Sequence, residues 1–291
     1  MDGILCMDKP AEITSFVCCA KVRRILGEKK AGHAGTLDPM ATGVLPILLG
    51  KATRALDLIP SHDKRYTATM QLGLTSDTLD IWGNVQKTEK KPPVLSEIEA
   101  VLPRFRGDIL QVPPMTSALK KDGKRLYELA RQGIEVERQP RPITVYRLEI
   151  LAYEPENGTL TFDCHCSKGT YIRSICDDIG RLLGCGAVMT ALRRTGAAGF
   201  TLSDCVTFET LEAAVEKEPY ILPIEKVFSV YPAVTVSAAQ AVRFRNGGAL
   251  AAERLKVPLP QTPVRVFAPD GVFLGLGQEK EQSLAVLKLF V

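Results

Sequence analysis

Long apolar runs, a basic leader and paired cysteine motifs are all missing from this chain, and each absence closes a class of function. The opening residues "MDGILCMDKP" carry neither the positive charge nor the apolar stretch of a secretory signal, and no apolar run approaches the roughly 18 residues that a membrane helix needs. The expectation is a soluble, cytoplasmic protein. Its 8 cysteines are scattered without a disulfide framework, which fits a reducing compartment. Cys164, His165 and Cys166 come nearest to a metal motif, since in a strand the two thiols share a face, but no second ligand pair follows at zinc spacing. They read as buried thiols. Neither a Walker nor a dinucleotide fingerprint occurs, nor an internal repeat or low-complexity tract. No metal and no cofactor are expected.

What is present is an ordinary globular composition, 45% hydrophobic and 24% charged over 291 residues, enough for roughly two domains. The net charge of +4 is unevenly spread. Residues 21–54 hold seven Lys or Arg against two acids, and residues 104–147 hold ten against five. Such clustering suits a polyanion such as RNA. Thr14 or Ser15 can cap a helix through Val17, Ala20, Ile25 and Leu26, with Gly27 as its stop. "VLPILL" (44–49) reads as a buried segment, although Pro46 argues against a central strand. "YTATMQLG" and "LTFDCHC" alternate as strands, "LSEIEAVLPRF" and "IRSICDDIGRLLG" read as helices, and "QKTEKKPPV" reads as a polar connector. Mixed strands and helices without regular βαβ alternation predict an α+β fold. From about residue 229 the texture changes to short strands around the turn "PDG" (269–271), which predicts a small C-terminal β-rich domain.

The segment "GHAGTLDPMATG" (32–43) isolates one carboxylate, Asp38, among glycines and a proline. An Asp-Pro pair by itself is a turn or a cap. Here Gly32, Gly35 and Gly43 allow close backbone approach, and Pro39 stiffens the loop, so the acid reads as presented to a bulky ligand. Four stretches then carry a resemblance: "DKPAEITS" (8–15), "GHAGTLDPMATGVLPILLGKATR" (32–54), "DKRYTA" (63–68) and "SKGTYIRSICDDIG" (167–180). In this order, across nearly the whole chain, they resemble the bacterial tRNA pseudouridine-55 synthases of the TruB family. Glu12 stands where that family usually has Gly, and Ala34 where it commonly has Thr.

The resemblance implies a mixed-sheet pseudouridine synthase catalytic domain over 1–228 and a PUA-like RNA-binding domain over 229–291. It implies isomerisation of uridine 55 in the tRNA T loop, in which the C1′–N1 bond breaks, the base turns in the pocket and a C1′–C5 bond forms. One carboxylate can serve such chemistry without a histidine base or a group donor. Attack of Asp38 on C1′, addition to C6 and a glycal route all stay open. By the same resemblance Arg173 pairs with Asp38, and Tyr66 stacks on the base and assists proton transfer. Tyr171 and Leu192 line the pocket, His33 fills the gap left by a flipped base, and Lys9, counted with these substrate-binding residues, supports the active-site loop together with Pro10. A uridine within a folded loop reaches a buried acid only by leaving its stack, at a cost on the order of a few kcal/mol. The basic, amphipathic insertion over 112–150 resembles the family's thumb, expected to be mobile before it folds over the T stem-loop. The expected partner is tRNA, with no guide RNA and no membrane, and the protein is expected to act as a monomer.

Overall fold

The computed structural model describes residues 1–255 and 258–291. A ten-stranded mixed sheet forms the body, and its main path runs 205–206, Gly3–Lys9, Thr42–Leu49, Ala187–Ala197, Lys64–Leu72, Thr159–Cys166, Arg141–Glu154 and Gly107–Gln111. The strands that form its middle come from distant parts of the chain. Ala187–Ala197 runs antiparallel to Lys64–Leu72 but touches Thr42–Leu49 in parallel, only at Arg193–Thr42 and Arg194–Gly43. That short parallel contact is where the loop carrying Asp38 meets the sheet.

"VLPILL" is a strand inside this sheet, contrary to the expectation drawn from Pro46. The reason is local. The Pro46 carbonyl accepts the Ala34 N–H at 2.9 Å, so its nitrogen faces the same edge, away from the Gly3–Lys9 strand. Along that edge the neighbour changes from Ala31–His33 to Ala187–Ala197, and no donor is required at the changeover. The strand is apolar throughout because both of its faces are covered. Leu45, Ile47 and Leu49 pack with Cys18 and Val22 of the helix Ser15–Ile25, whereas Val44 and Leu48 pack with Ile4, Val227 and Phe228.

The helix Ser15–Ile25 begins as expected, with the Thr14 hydroxyl accepting the Val17 N–H. The helix Ile172–Leu182 lays Ile172, Ile175, Cys176 and Ile179 against Phe162, Cys164 and Met70 of the sheet. Two other expected elements are revised. The helix at 95–105 stops at Val101 and tightens into a 3-10 turn over Leu102–Phe105 that holds Pro103 at its start. The connector at 86–94 begins as the short strand Val85–Lys87. Within the segment 112–150, residues from Arg141 onward form the long strand Arg141–Glu154 of the main sheet.

A second sheet of five strands occupies the C-terminal part, in the order Ala233–Thr235, Val264–Phe267, Phe273–Lys280, Ser283–Leu289 and Leu250–Ala251. The helix Ala238–Arg245 closes it, with Phe244 packed among Val234, Leu274 and Leu284. Among the described residues no helix is long and apolar enough to cross a membrane.

Candidate active site

The loop between Ala31–His33 and Thr42–Leu49 presents Asp38, and buried cations and a hydroxyl hold its backbone. The Ser15 hydroxyl accepts the Leu37 N–H at 2.8 Å and donates to the Leu37 carbonyl at 3.1 Å. Lys9 is buried with its Nζ donating to the carbonyls of Pro10, Ile13 and Pro39 at 2.8, 2.8 and 2.9 Å. Arg194, also fully buried, donates to Gly35, Thr36 and Val44 carbonyls at 3.1, 3.2 and 2.7 Å. These clamps flank the acid on both sides in sequence and leave its side chain free. Gly43, with φ +103°, lies so close to the Arg194 backbone that a Cβ would sit 2.1 Å from its carbonyl oxygen. Glycine is therefore required where the loop rejoins the sheet.

Arg173 is the hub of the site. It extends from the first turn of the helix Ile172–Leu182, and its Nε lies 3.0 Å from Asp38 Oδ2. Its Nη1 lies 3.6 Å from Asp80 Oδ2 and donates to the Thr78 carbonyl at 3.2 Å and to the Thr116 hydroxyl. Nη2 donates to the Thr116 carbonyl at 3.3 Å. The guanidinium thus joins the Asp38 loop, the loop at 76–84 and the segment at Thr116. Asp38 has 41% of its side chain exposed. Even so, withdrawal from water pushes its carboxyl above the usual range, with Arg173 pulling it down and Asp80 adding a further upward push.

Tyr66 sits opposite both Cys164 and Arg194 on its two neighbouring strands and is buried. Burial raises its phenol beyond the usual range despite the nearby Arg194, so the ring keeps its proton at neutral pH. Leu192 and Ala68 are cross-strand partners, and Tyr66, Leu192, Leu37 and Ile172 belong to one apolar cluster beneath the acid. Tyr171 caps the arginine's helix in an extended conformation. Gln111 fixes it, accepting the Tyr171 N–H at 2.8 Å and donating to its carbonyl at 3.0 Å. His33 ends the short strand that leads into the loop. Its Nδ1 is buried without a partner among the described residues, and burial together with Arg194 lowers its pKa, so the imidazole is neutral at pH 7. Lys9 contributes backbone support, and burial lowers its ammonium to about 8.

Asp80 and Arg194 were not legible as site residues. Asp80 is one of several acids in a polar loop, and Arg194 is the second Arg of "LRRTG". Only the fold brings them to the centre. The resulting arrangement is an ionisable carboxylate aimed by a guanidinium above an apolar floor with a flat, protonated phenol. It suits attack on, or stabilisation of, an electron-poor carbon in a planar substrate.

The model for the TruB family pseudouridylate synthase N-terminal domain matches residues 23–172, a span that holds Asp38, Tyr66 and Asp80 and ends one residue before Arg173. The chain belongs to the TruB family of pseudouridine synthases. Such enzymes are isomerases. Models for the tRNA pseudouridylate synthase B C-terminal domain and for the TruB C-terminal region match 173–229 and 232–290. Among curated proteins, tRNA pseudouridine synthase B of Clostridium kluyveri is 43% identical over 296 residues, covering 100% of both chains. The protein of the same name from Pseudomonas fluorescens is 44% identical over 97% of this chain and 93% of its own. Among solved structures, a Cbf5-Nop10-Gar1 complex aligns with TM-score 0.75 and 28% identity over 99% of this chain and 85% of that one. An H/ACA RNP bound to a substrate RNA containing 2'-deoxyuridine gives TM-score 0.75 at 26% identity with the same coverage. The fold is thus shared with proteins solved in a three-component complex and in an RNA-bound ribonucleoprotein.

Proposed function

We propose that this TruB-family enzyme converts uridine 55 in the T loop of tRNA to pseudouridine, acting alone and without a guide RNA. The observation that carries the chemistry is the 3.0 Å pairing of Asp38 with Arg173 above the Tyr66–Leu192 floor. The substrate follows from full-length relatives named tRNA pseudouridine synthase B. In the reaction the target uridine leaves its stack and enters the cleft, and neutral His33 occupies the vacated place. The Asp38 carboxylate, kept in position by Arg173, drives cleavage of C1′–N1. The free uracil turns over the Tyr66 ring between Leu192 and Tyr171, C5 bonds to C1′, and the proton lost from C5 is balanced by one gained at N1. Residues 1–228 form the catalytic body in this reading, 112–140 the gripping thumb, and 229–291 a PUA-like module that touches RNA through its net positive charge.

The test is incubation of purified protein with an unmodified T stem-loop and a full tRNA transcript, followed by mapping of pseudouridine. Conversion at the T-loop uridine by the parent, and none by Asp38→Asn, is the expected result. Conversion that requires an added guide RNA or partner protein would move the protein to the mode of action of the ribonucleoprotein synthases it resembles in fold.

A further inference from the structure

The loop at 76–84 does more than supply Asp80. It carries Trp82, the chain's single tryptophan, which is 45% exposed and flanked by the exposed side chains of Ile81 and Val85. An exposed aromatic residue needs no explanation by itself. The attachment of this one does. The Trp82 N–H donates to Asp80 Oδ1 at 3.2 Å, on the same carboxylate whose other oxygen faces Arg173. The Thr78 hydroxyl donates to Asp80 Oδ1 at 2.6 Å. Asp77 closes the loop by accepting both the backbone N–H and the side-chain amide of Asn84 at 2.8 Å. Ile81 and Leu79 exchange hydrogen bonds with Met189 of the main sheet, the Ile81 N–H donating at 2.9 Å and the Leu79 carbonyl accepting at 3.1 Å. The loop is also packed tightly on itself, since a Cβ on Gly83 would meet side-chain oxygens of Thr78, Asp77 and Ser76 within 2.5 Å. Leu79 is held at φ +65°, a region that an ordinary side chain enters at a cost. A strained, tightly hydrogen-bonded loop therefore anchors the backbone of a half-exposed indole to Asp80, the carboxylate that faces Arg173.

We infer that Trp82 is a stacking platform for a substrate nucleotide next to the flipped uridine. Flipping removes a base from its neighbours, and those neighbours lose stacking surface that an exposed, flat indole on the Asp80 loop replaces. Stacking accepts any base, so the platform holds the unpaired loop open without reading sequence. Its contribution lies in binding rather than chemistry, because the indole donates nothing to Asp38 and leaves the Asp80 carboxylate where the backbone holds it. This inference rests on the RNA substrate proposed above.

The lone tryptophan makes the test direct. Titration of the Asp38→Asn protein with the unmodified T stem-loop is expected to quench tryptophan emission saturably, while a fully paired hairpin with a tight stable loop leaves it unchanged. In steady-state assays of otherwise unaltered protein, Trp82→Ala is expected to raise KM for the stem-loop roughly tenfold with kcat held, and Trp82→Phe to recover most of the loss. A melting curve matching the parent's accompanies both, as for a surface substitution. If the parent converts the stem-loop but emission does not respond, or Trp82→Ala keeps the parent KM or loses kcat instead, the platform is refuted while the synthase reading stands. If the parent converts no stem-loop uridine, the reading and the platform fall together.

Discussion

Arg173 serves two carboxylates, and that sharing sets how the site responds to pH. In the proposed reaction the working form of Asp38 is the ionised one. Its pKa is raised chiefly by burial, opposed by Arg173 and raised further by Asp80. Activity is therefore expected to rise with pH through a midpoint above the ordinary carboxylate range. Asp80→Asn removes a like charge, so the acid limb of kcat/KM moves to lower pH. Arg173→Gln removes the stabilising cation, so the limb moves up as the rate falls. A pH profile on the T stem-loop for parent and both variants checks this, and an acid limb unmoved by Asp80→Asn would sink it. Linkage gives the matching sign for stability. A carboxyl with a raised folded pKa stabilises the fold below its unfolded pKa, and that contribution is lost as pH rises through the folded value. Ionised Asp38 is thus a burden at neutral pH, and Asp38→Asn should melt no lower than the parent in calorimetry at pH 7. Asp38 was visible in the sequence because glycines and a proline surround it, whereas Arg173, Tyr66 and His33 were visible only through their motifs. Asp80 and Arg194 have no such surroundings, and a distance across the fold cannot be read from spacing along the chain.

At the scale of elements, a substitution in the early loop left the turn intact. Glu12 adopts φ +69°, the left-handed conformation that the family's usual glycine takes freely. Holding a side chain there costs about 1–2 kcal/mol, offset in part by the greater freedom that glycine gives the unfolded chain. Glu12→Gly is therefore expected to stabilise the protein by about 0.5–1 kcal/mol, read as an increased midpoint in urea at constant m-value. A lower midpoint would show that Glu12 makes a compensating contact. The neighbouring Lys9 explains why this turn cannot relax, since its ammonium ties Pro10 and Ile13 to the Pro39 carbonyl beside Asp38. The segment proposed as the thumb is the opposite kind of element. Among the described residues the strand Lys120–Lys121 pairs only with Lys124–Arg125, and all four side chains are exposed. Trypsin is expected to cut free protein there first and to be slowed by the stem-loop, and equal cleavage with and without RNA would count against a gripping role. Regular periodicity made the helices and alternating strands legible. Pro46 misled because its meaning depends on which strand lies beside it, a property of the sheet rather than of the segment.

At the scale of the whole molecule, the two sheets are held together by more than a tether. Phe228, at the end of the main body, lies 5.6 Å from Phe290 and 6.4 Å from Phe273 between ring centroids, and those two rings stack at 5.6 Å. The same cluster takes in Ile4, Val44 and Leu48 from the middle of the main sheet and Leu276 from the second sheet. The C-terminal module thus covers one face of the strand that leads out of the Asp38 loop, and its loss would expose apolar surface rather than simply free a separate unit. Phe290, fully packed at the chain's penultimate position, isolates this effect from RNA contact. Phe290→Ala is expected to cost about 3 kcal/mol and to lower the melting temperature of the entire protein by roughly 6–10 °C in one transition. Separate transitions, with the body melting where the parent does, would show that the module hangs free and that the covered face belongs to the catalytic body alone. A single lowered transition would mean that the loop presenting Asp38 depends for its rigidity on a sheet whose last strand ends two residues from the C-terminus.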